Sequence, residues 1–264
     1  MPPSDAAAHY QAFPSRESIL AALARRGADL AHLTPDHLAP FDQLHTGGAA
    51  ATQALIARLS PAAVDHVLDL GSGLGGPARQ LVAAAGCRVT GVDITPRFVA
   101  DAAFFTERTG QADRVAFREA SVTALPFPDG SFDAAWHIHL AMNVSDKATL
   151  YAEAFRVLKP GGRLAIDDPV RGQGDLLFPV PWAAEANTSH LATEQELVAA
   201  LAAAGFQHVN VEDVTEQAVA WFAEIARTRK PGRPGTPLDV MAAHHRANLE
   251  SGAARIVSIL AEKP

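Results

Sequence analysis

The run Val67-Leu68-Asp69-Leu70-Gly71-Ser72-Gly73-Leu74-Gly75-Gly76 joins an apolar stretch to a helical one. Gly71 and Gly73 permit positive φ and let backbone come close to a ligand. The helix that follows presents free amide donors at its N-terminus. Asp93 closes the next apolar stretch, 22 residues after Gly71 and with Ile94 beside it. A carboxylate there can accept both hydroxyls of a ribose. Asp69 precedes Gly71 by two residues, where an acid can bind a ligand ammonium directly or through water. Taken alone, Gly71-x-Gly73-x-x-Gly76 also fits a dinucleotide fingerprint, and such a match is weak. Dinucleotide folds usually carry an apolar or neutral residue at the Asp69 position. No Tyr-x-x-x-Lys pair follows either, since Tyr151 has Phe155 at the lysine position. A nicotinamide-dependent oxidoreductase is therefore disfavoured.

A second set of candidates lies further along. His139 stands just past an apolar run, where ligands sit in open α/β sheets, and Asn143 follows it. Asp168 closes another such run and could hold a substrate ammonium or a base; a turn acid before Pro169 is the plainer reading. Asn143 could orient a polar substrate group or cap the helix starting near Ser145. Gln43 and His45 are placed to fold over a ligand from the N-terminal side, and Trp182 reads as a lid aromatic. His244-His245 has no third ligand at metal spacing, so no metal site is expected.

These residues need a scaffold, and the pattern from residue 64 supplies one. Short apolar runs alternate with helical segments, the mark of a parallel sheet with crossover helices. Strands are expected at Val64–Leu70, Arg88–Asp93, Val115–Glu119, Phe132–His137, Arg163–Asp168 and Phe206–Val214. Arg255–Glu262 is ambiguous, with an edge strand favoured. Helices are expected at Gly75–Ala85, Pro96–Thr109, Lys147–Leu158, Glu194–Ala204, Thr215–Arg229 and Leu238–Glu250, with a loop over Lys230–Pro237. Upstream, residues 15–27 place Ile19, Leu20 and Leu23 on one helical face. Residues 34–48 read as irregular, and Ala49–Leu59 as a second helix broken by Ser60-Pro61. The expected organisation is an N-terminal helical cap or lid over 1–60 and an α/β domain over 61–264. Within it, 169–191 is an insertion that forms part of the substrate pocket.

Four segments, in order and spacing, resemble class I S-adenosylmethionine-dependent methyltransferases. They are Val67 to Gly76, Gly91-Val92-Asp93, Leu125-Pro126-Phe127-Pro128-Asp129-Gly130-Ser131-Phe132-Asp133, and Arg156-Val157-Leu158-Lys159-Pro160-Gly161-Gly162-Arg163-Leu164. Beyond this core the chain resembles the sarcosine/dimethylglycine N-methyltransferase-like small-molecule branch. The residues behind this are Phe41 to Gly48, Met142 to Lys147, Phe178 to Ala183, and Val214-Thr215-Glu216. The resemblance implies a Rossmann-like, seven-stranded, mostly parallel sheet with helices on both faces. It implies S-adenosylmethionine as cofactor, held by Asp69, Gly71, Gly73, Asp93, Ile94, Ser121, Val122 and the backbone of His137. It also implies methyl transfer to a small molecule, with nitrogen slightly ahead of oxygen and carbon third. Ser121 replaces the family's usual acid four residues before Leu125, Ile138-His139 replaces Gln-His, and Asp167-Asp168 replaces a pair that more often contains glutamate. For transfer to a hydroxyl or carbon acid a base is normally needed, and His139 is the candidate; a neutral amine needs none at that step.

Composition narrows the remaining readings. Of 264 residues 48% are hydrophobic, enough for a packed core. Net charge is −7 and the basic residues are scattered, with no basic stripe for nucleic acid. Amino-directed nucleic-acid methyltransferases usually carry Asn/Asp-Pro-Pro-aromatic after the fourth strand, where this chain reads His137-Ile138-His139-Leu140. A non-catalytic or atypical S-adenosylmethionine binder stays open through Ser121. The lone Cys87 excludes an internal disulfide, and Met1 to Asp5 lacks a signal-peptide start. The expectation is a cytoplasmic protein with a small-molecule substrate, no nucleic-acid or membrane partner, and possible homodimers.

Overall fold

The structure, a computed structural model, describes Tyr10, residues 13–228 and residues 236–264. The sequence readings over Met1–Asp5 and most of the loop Lys230–Pro237 lie outside the described residues. Seven strands form one sheet: β1 (His66–Leu70), β2 (Arg88–Asp93), β3 (Val115–Glu119), β4 (Phe132–Ile138), β5 (Leu158–Arg171), β6 (Gln207–Asp213) and β7 (Ala254–Glu262). Their order is β3-β2-β1-β4-β5-β7-β6. All neighbours run parallel except β7, which is antiparallel to both β5 and β6. This is the Rossmann-like methyltransferase sheet that the sequence motifs imply, and the ambiguous C-terminal segment is a strand between β5 and β6.

Helices cover both faces. They are α1 (Arg16–Arg25), α2 (Pro35–Asp42), α3 (Gly48–Leu59), α4 (Gly76–Ala85), α5 (Pro96–Arg108), α6 (Lys147–Val157), α7 (Glu194–Ala204), α8 (Thr215–Thr228) and α9 (Pro237–Glu250). Strand alternation explains the two cores. In β1, Val67 packs with Leu55 and Leu59 of α3, Leu81 of α4 and Trp136 of β4. Leu68 and Leu70 point the other way, toward Leu150, Tyr151 and Leu201 of α6 and α7. A strand buried on both sides reads as a continuous apolar run, which is why it was legible. Leu20, Phe98 and Phe105 join Ile19 and Leu23 of α1 in a third cluster that fixes the N-terminal helices to α5.

Residues 34–48 are not irregular throughout, because α2 occupies Pro35–Asp42. Thr34 accepts the His37 N–H at 3.3 Å and Pro35 fills the first helical position, where its missing N–H costs nothing. Two prolines and a glycine pair masked that start signal. The fifth strand also runs three residues past its expected end, to Arg171. Asp168 to Val170 pair with β7 only, since β4 stops opposite Asp167, and Arg171 adds a bridge to Thr193. Pro169 is tolerated there because its β4-facing side has no ladder to complete. Among the described residues no helix is long and apolar enough to cross a membrane.

Candidate active site

The strand order reverses between β1 and β4, and the crevice beyond their carboxyl ends is where such a sheet binds ligands. A cavity of about 730 Å3 lies there. Gly71, Gly73, Asp93, Ile94, Ser121 and Val122 line it, together with His139, Asn143 and Trp182. Register sets this convergence: Leu70 stands opposite both Val92 and His137, and Ile138 opposite Asp167.

The glycine-rich turn is shaped by contacts that leave no room for side chains. Gly71 has φ +72°, and a Cβ there would meet Leu140 Cδ1 at 2.7 Å. The Gly71 and Ser72 amides donate to the Val92 carbonyl at 2.8 and 2.9 Å, tying the turn to β2. Asp93 then holds the turn from the side: Oδ2 accepts the Gly73 N–H at 2.9 Å and Oδ1 the Thr95 N–H at 2.8 Å. Burial pushes the Asp93 carboxyl up, against those amide hydrogen bonds. A carboxylate fixed by two amides at a cavity wall suits ribose hydroxyls.

Asp69 borders a smaller void of about 40 Å3 with Gly71, Ser72, Gly73 and His45. Its Oδ2 is buried without a hydrogen-bond partner. Burial pushes this carboxyl up to about 7, with Asp93 adding to the shift and Trp136 opposing it. An orphaned acid of that kind fits an ammonium or sulfonium ligand, which would pull it back into the ionised form. Binding of such a cation is therefore expected to release a proton below about pH 7, so affinity rises with pH up to that point and levels above it. Titration calorimetry with S-adenosylhomocysteine at lower pH, in two buffers of different ionisation enthalpy, checks this. Identical heats would count against it, and Asp69→Asn should abolish the buffer dependence.

Ser121 lines the cavity, but its hydroxyl already engages Thr123 Oγ1 at 2.8 Å and accepts the Thr123 N–H at 3.2 Å. His137 is fully buried, so its ring faces no ligand. His139 has left-handed backbone, φ +50°, which is uncommon without glycine. Its N–H donates to Asp167 O at 2.7 Å, its side chain is 7% exposed, and Nε2 lies 3.6 Å from Asp167 Oδ1. Neither of these two side-chain atoms has a hydrogen-bond partner. Burial, with His45, His245 and His137 nearby, holds His139 well below the ordinary histidine range. Burial and then the adjacent Asp168 push Asp167 up to about 8, with Arg58 opposing.

Other sequence candidates are placed differently. Asp168 is fully buried and does not line the cavity; its Oδ2 accepts the Ala141 N–H at 3.0 Å and sits 3.0 Å from His137 Nδ1. That corrects the expectation of a substrate-facing base: Asp168 anchors the turn that carries His139 and Asn143. Gln43 bonds Gln80 and Thr52 rather than facing the cavity. His45 borders the small void, its Nε2 at 3.0 Å from Gly48 O. Asn143 reaches the cavity and donates to Tyr10 Oη at 3.1 Å. Trp182 reaches it too, held by an Nε1–H bond to Ser189 at 3.0 Å. Sequence reading missed Tyr10 and Asp167. Tyr10 has no local signal, being 133 positions from the residue it meets. Asp167 looked like half of a turn pair.

Residues 68–166 match the family described as a methyltransferase domain. Among curated proteins, the chain is 37% identical to the O-methyltransferase cnsE of Penicillium expansum, over 60% of this chain and 58% of that protein. It is 33% identical to the 27-O-demethylrifamycin SV methyltransferase of Amycolatopsis mediterranei, over 62% of each. The chain thus spans less than two thirds of either relative. Among solved structures, geranyl diphosphate C-methyltransferase from Streptomyces coelicolor superposes with a TM-score of 0.75 at 20% identity, covering 100% of this chain and 99% of that one. That structure contains S-adenosylhomocysteine. At this identity the likeness speaks for the fold.

Proposed function

We propose that this chain, which carries a methyltransferase domain on the class I methyltransferase fold, transfers a methyl group from S-adenosylmethionine to a small-molecule acceptor. One observation carries the reading. The glycine-rich turn borders both the main cavity, which Asp93 lines, and the adjoining small void, where Asp69 presents an unpartnered Oδ2, so each has the chemistry for one part of that cofactor. Asp93 would hold the ribose hydroxyls, Asp69 the ammonium end, and Ile94 and Val122 the faces of the ring. When bound, the cofactor supplies an already activated methyl group for in-line displacement. What remains for the protein is alignment of the acceptor and exclusion of water, worth roughly 7–11 kcal/mol when geometry is good.

The acceptor atom that the site favours is a hydroxyl oxygen, ahead of the nitrogen that the sequence resemblance put first. His139 lines the cavity, and its buried Nε2 has no hydrogen-bond partner. Held uncharged, it would take a hydroxyl proton from an acceptor that reaches that nitrogen, whereas a neutral amine would leave that group without a task. The curated relatives from Penicillium expansum and Amycolatopsis mediterranei are both named for transfer to oxygen. A sterol 24-C-methyltransferase of Gibberella zeae, 42% identical over 36% of this chain and 25% of that protein, is named for transfer to carbon. The oxygen reading therefore rests mainly on His139. The described part of the N-terminal segment, Tyr10 and residues 13–60, serves as a cap. The expected insertion over 169–191 begins only after β5 ends at Arg171, and its residues 172–191 contribute Trp182 to the pocket.

Incubation with labelled S-adenosylmethionine and matched phenols and amines tests the reading. Label should pass to phenols; transfer to amines alone would overturn the oxygen assignment. Asp93→Ala should weaken S-adenosylhomocysteine binding about tenfold to a hundredfold or somewhat more, the effect of about 1.5–3 kcal/mol for losing a charged acceptor. Unchanged affinity by calorimetry would remove Asp93 from the cofactor site.

A further inference from the structure

Given that reading of the site, the cavity wall also carries information about charge on the acceptor. Beyond the cofactor residues the wall is made by the turn after β4 and by residues 182–190. Its polar groups are His139, Asn143, Thr188 and His190, with Tyr10 beside Asn143 and with Ser145 and Asp146 at the rim. Among the described residues that line the cavity there is no lysine or arginine. The two cations alongside are committed elsewhere. Lys147 Nζ donates to the Val144 and His190 carbonyls at 2.6 and 2.7 Å. Arg97 donates to the carbonyls of Pro14, Tyr10 and Phe13 at 3.2, 3.2 and 3.3 Å. Asp146 is committed as well: it caps α6, accepting from Thr149 N and Oγ1 at 2.9 and 2.6 Å.

Tyr10, Phe98 and Trp182 give the wall an aromatic lining, and the rings of His245 and His45, which do not themselves line the cavity, adjoin Trp182 and His139. Trp182 is 3% exposed and stands edge-to-face with His245, ring centroids 5.1 Å apart. His245 stands the same way to His139 at 6.4 Å, and His139 lies 5.8 Å from His45. Such walls favour a planar apolar body whose hydrogen bonds are made to uncharged partners. A carboxylate or phosphate buried against this wall would lose its water and gain no lysine or arginine counter-charge from it, and unpaired buried charge is costly.

We propose that the acceptor is an uncharged, hydroxyl-bearing molecule with a planar apolar body, and that the site discriminates against anionic acceptors, glycine derivatives and phosphorylated molecules included. The discrimination resides in the wall rather than in the cofactor residues, so it can be altered without touching them.

Calorimetry on the full chain saturated with S-adenosylhomocysteine tests this, with 2-naphthol and 6-hydroxy-2-naphthoic acid as a matched pair. Naphthol should bind about tenfold to a hundredfold tighter than the acid, as expected when a charged group is left unsatisfied. Ala184→Arg places a cation on the exposed part of the wall and should narrow or reverse that ratio. Equal or tighter binding of the acid by the parent protein would overturn the proposal, as would a ratio unmoved by Ala184→Arg. Failure of S-adenosylhomocysteine to bind at all is a separate result and strikes the methyltransferase reading instead.

Discussion

His139→Ala should lower the rate of methyl transfer to a hydroxyl acceptor by roughly 10²–10⁴-fold, the range for removing a positioned general base. Binding of S-adenosylhomocysteine should change little, since His139 sits on the acceptor side of the turn. The loss should fall mainly on kcat, and a phenol of lower pKa should lose less. The parent protein should also show a pH dependence that the variant lacks. Nε2 of His139 and Oδ1 of Asp167 are 3.6 Å apart, and burial favours the uncharged form of each: neutral imidazole and protonated acid. His45, His245 and His137 face His139, and Asp168 and Arg58 act on Asp167, with Ser258 opposite it on β7. The Asp167 carboxyl is pushed up to about 8, so the ionised acid that would stabilise a protonated His139 accumulates only as pH rises through that value. Rates on hydroxyl acceptors should therefore climb through about pH 8, and Asp167→Asn should flatten that rise. Parent and His139→Ala proteins with equal rates on a phenol would eliminate this histidine as the base.

A second large effect concerns stability of the same turn. Arg79 on α4 is fully buried and donates to Asp42 Oδ2 at 2.6 Å, to Leu74 O at 2.7 Å and to Thr106 Oγ1 at 2.9 Å. Asp42 also fills the space beside Gly76, where a Cβ would lie 2.5 Å from its Oδ1. Burial pushes the Asp42 carboxyl up and Arg79 opposes this, the balance expected of a buried pair whose desolvation rivals its attraction. Asp42→Ala should cost about 3–5 kcal/mol, because it leaves a guanidinium buried without its counter-ion. For chains of this size that lowers Tm by roughly 2–4 °C per kcal/mol, so a drop on the order of 10 °C is expected by thermal melting. Replacing both partners, Asp42→Leu with Arg79→Met, should recover much of the loss. A melting point within a degree or two of the parent for Asp42→Ala would show that the pair does not hold α2 to the glycine-rich turn.

Local sequence patterns wrote the sheet and most elements, and they put the glycine-rich turn and Asp93 together at one cavity wall. Val67 to Gly76 and Gly91 to Asp93 are local patterns, and local patterns survive without knowledge of distant residues. Burial on both faces wrote β1 and β4 as apolar runs, and the spacing between Gly71 and Asp93 needed only one helix in between. Helix α2 was lost to its prolines, although Thr34-Pro35 marks its start.

The surroundings of His139 emerge only when distant segments fold together. Asp167 and Asp168 are neighbours in the chain, yet strand alternation turns one toward His139 and the other toward the Ala141 amide beneath the turn. Nothing in their order says which of them stands beside His139. Tyr10 meets Asn143, and His245 reaches the His139 cluster from α9, across sequence separations that carry no periodic signal. The charge state of these groups is likewise a property of burial, since water excluded by packing is what holds the imidazoles neutral. Residue type supplied the chemistry; enclosure set which proton form each residue presents.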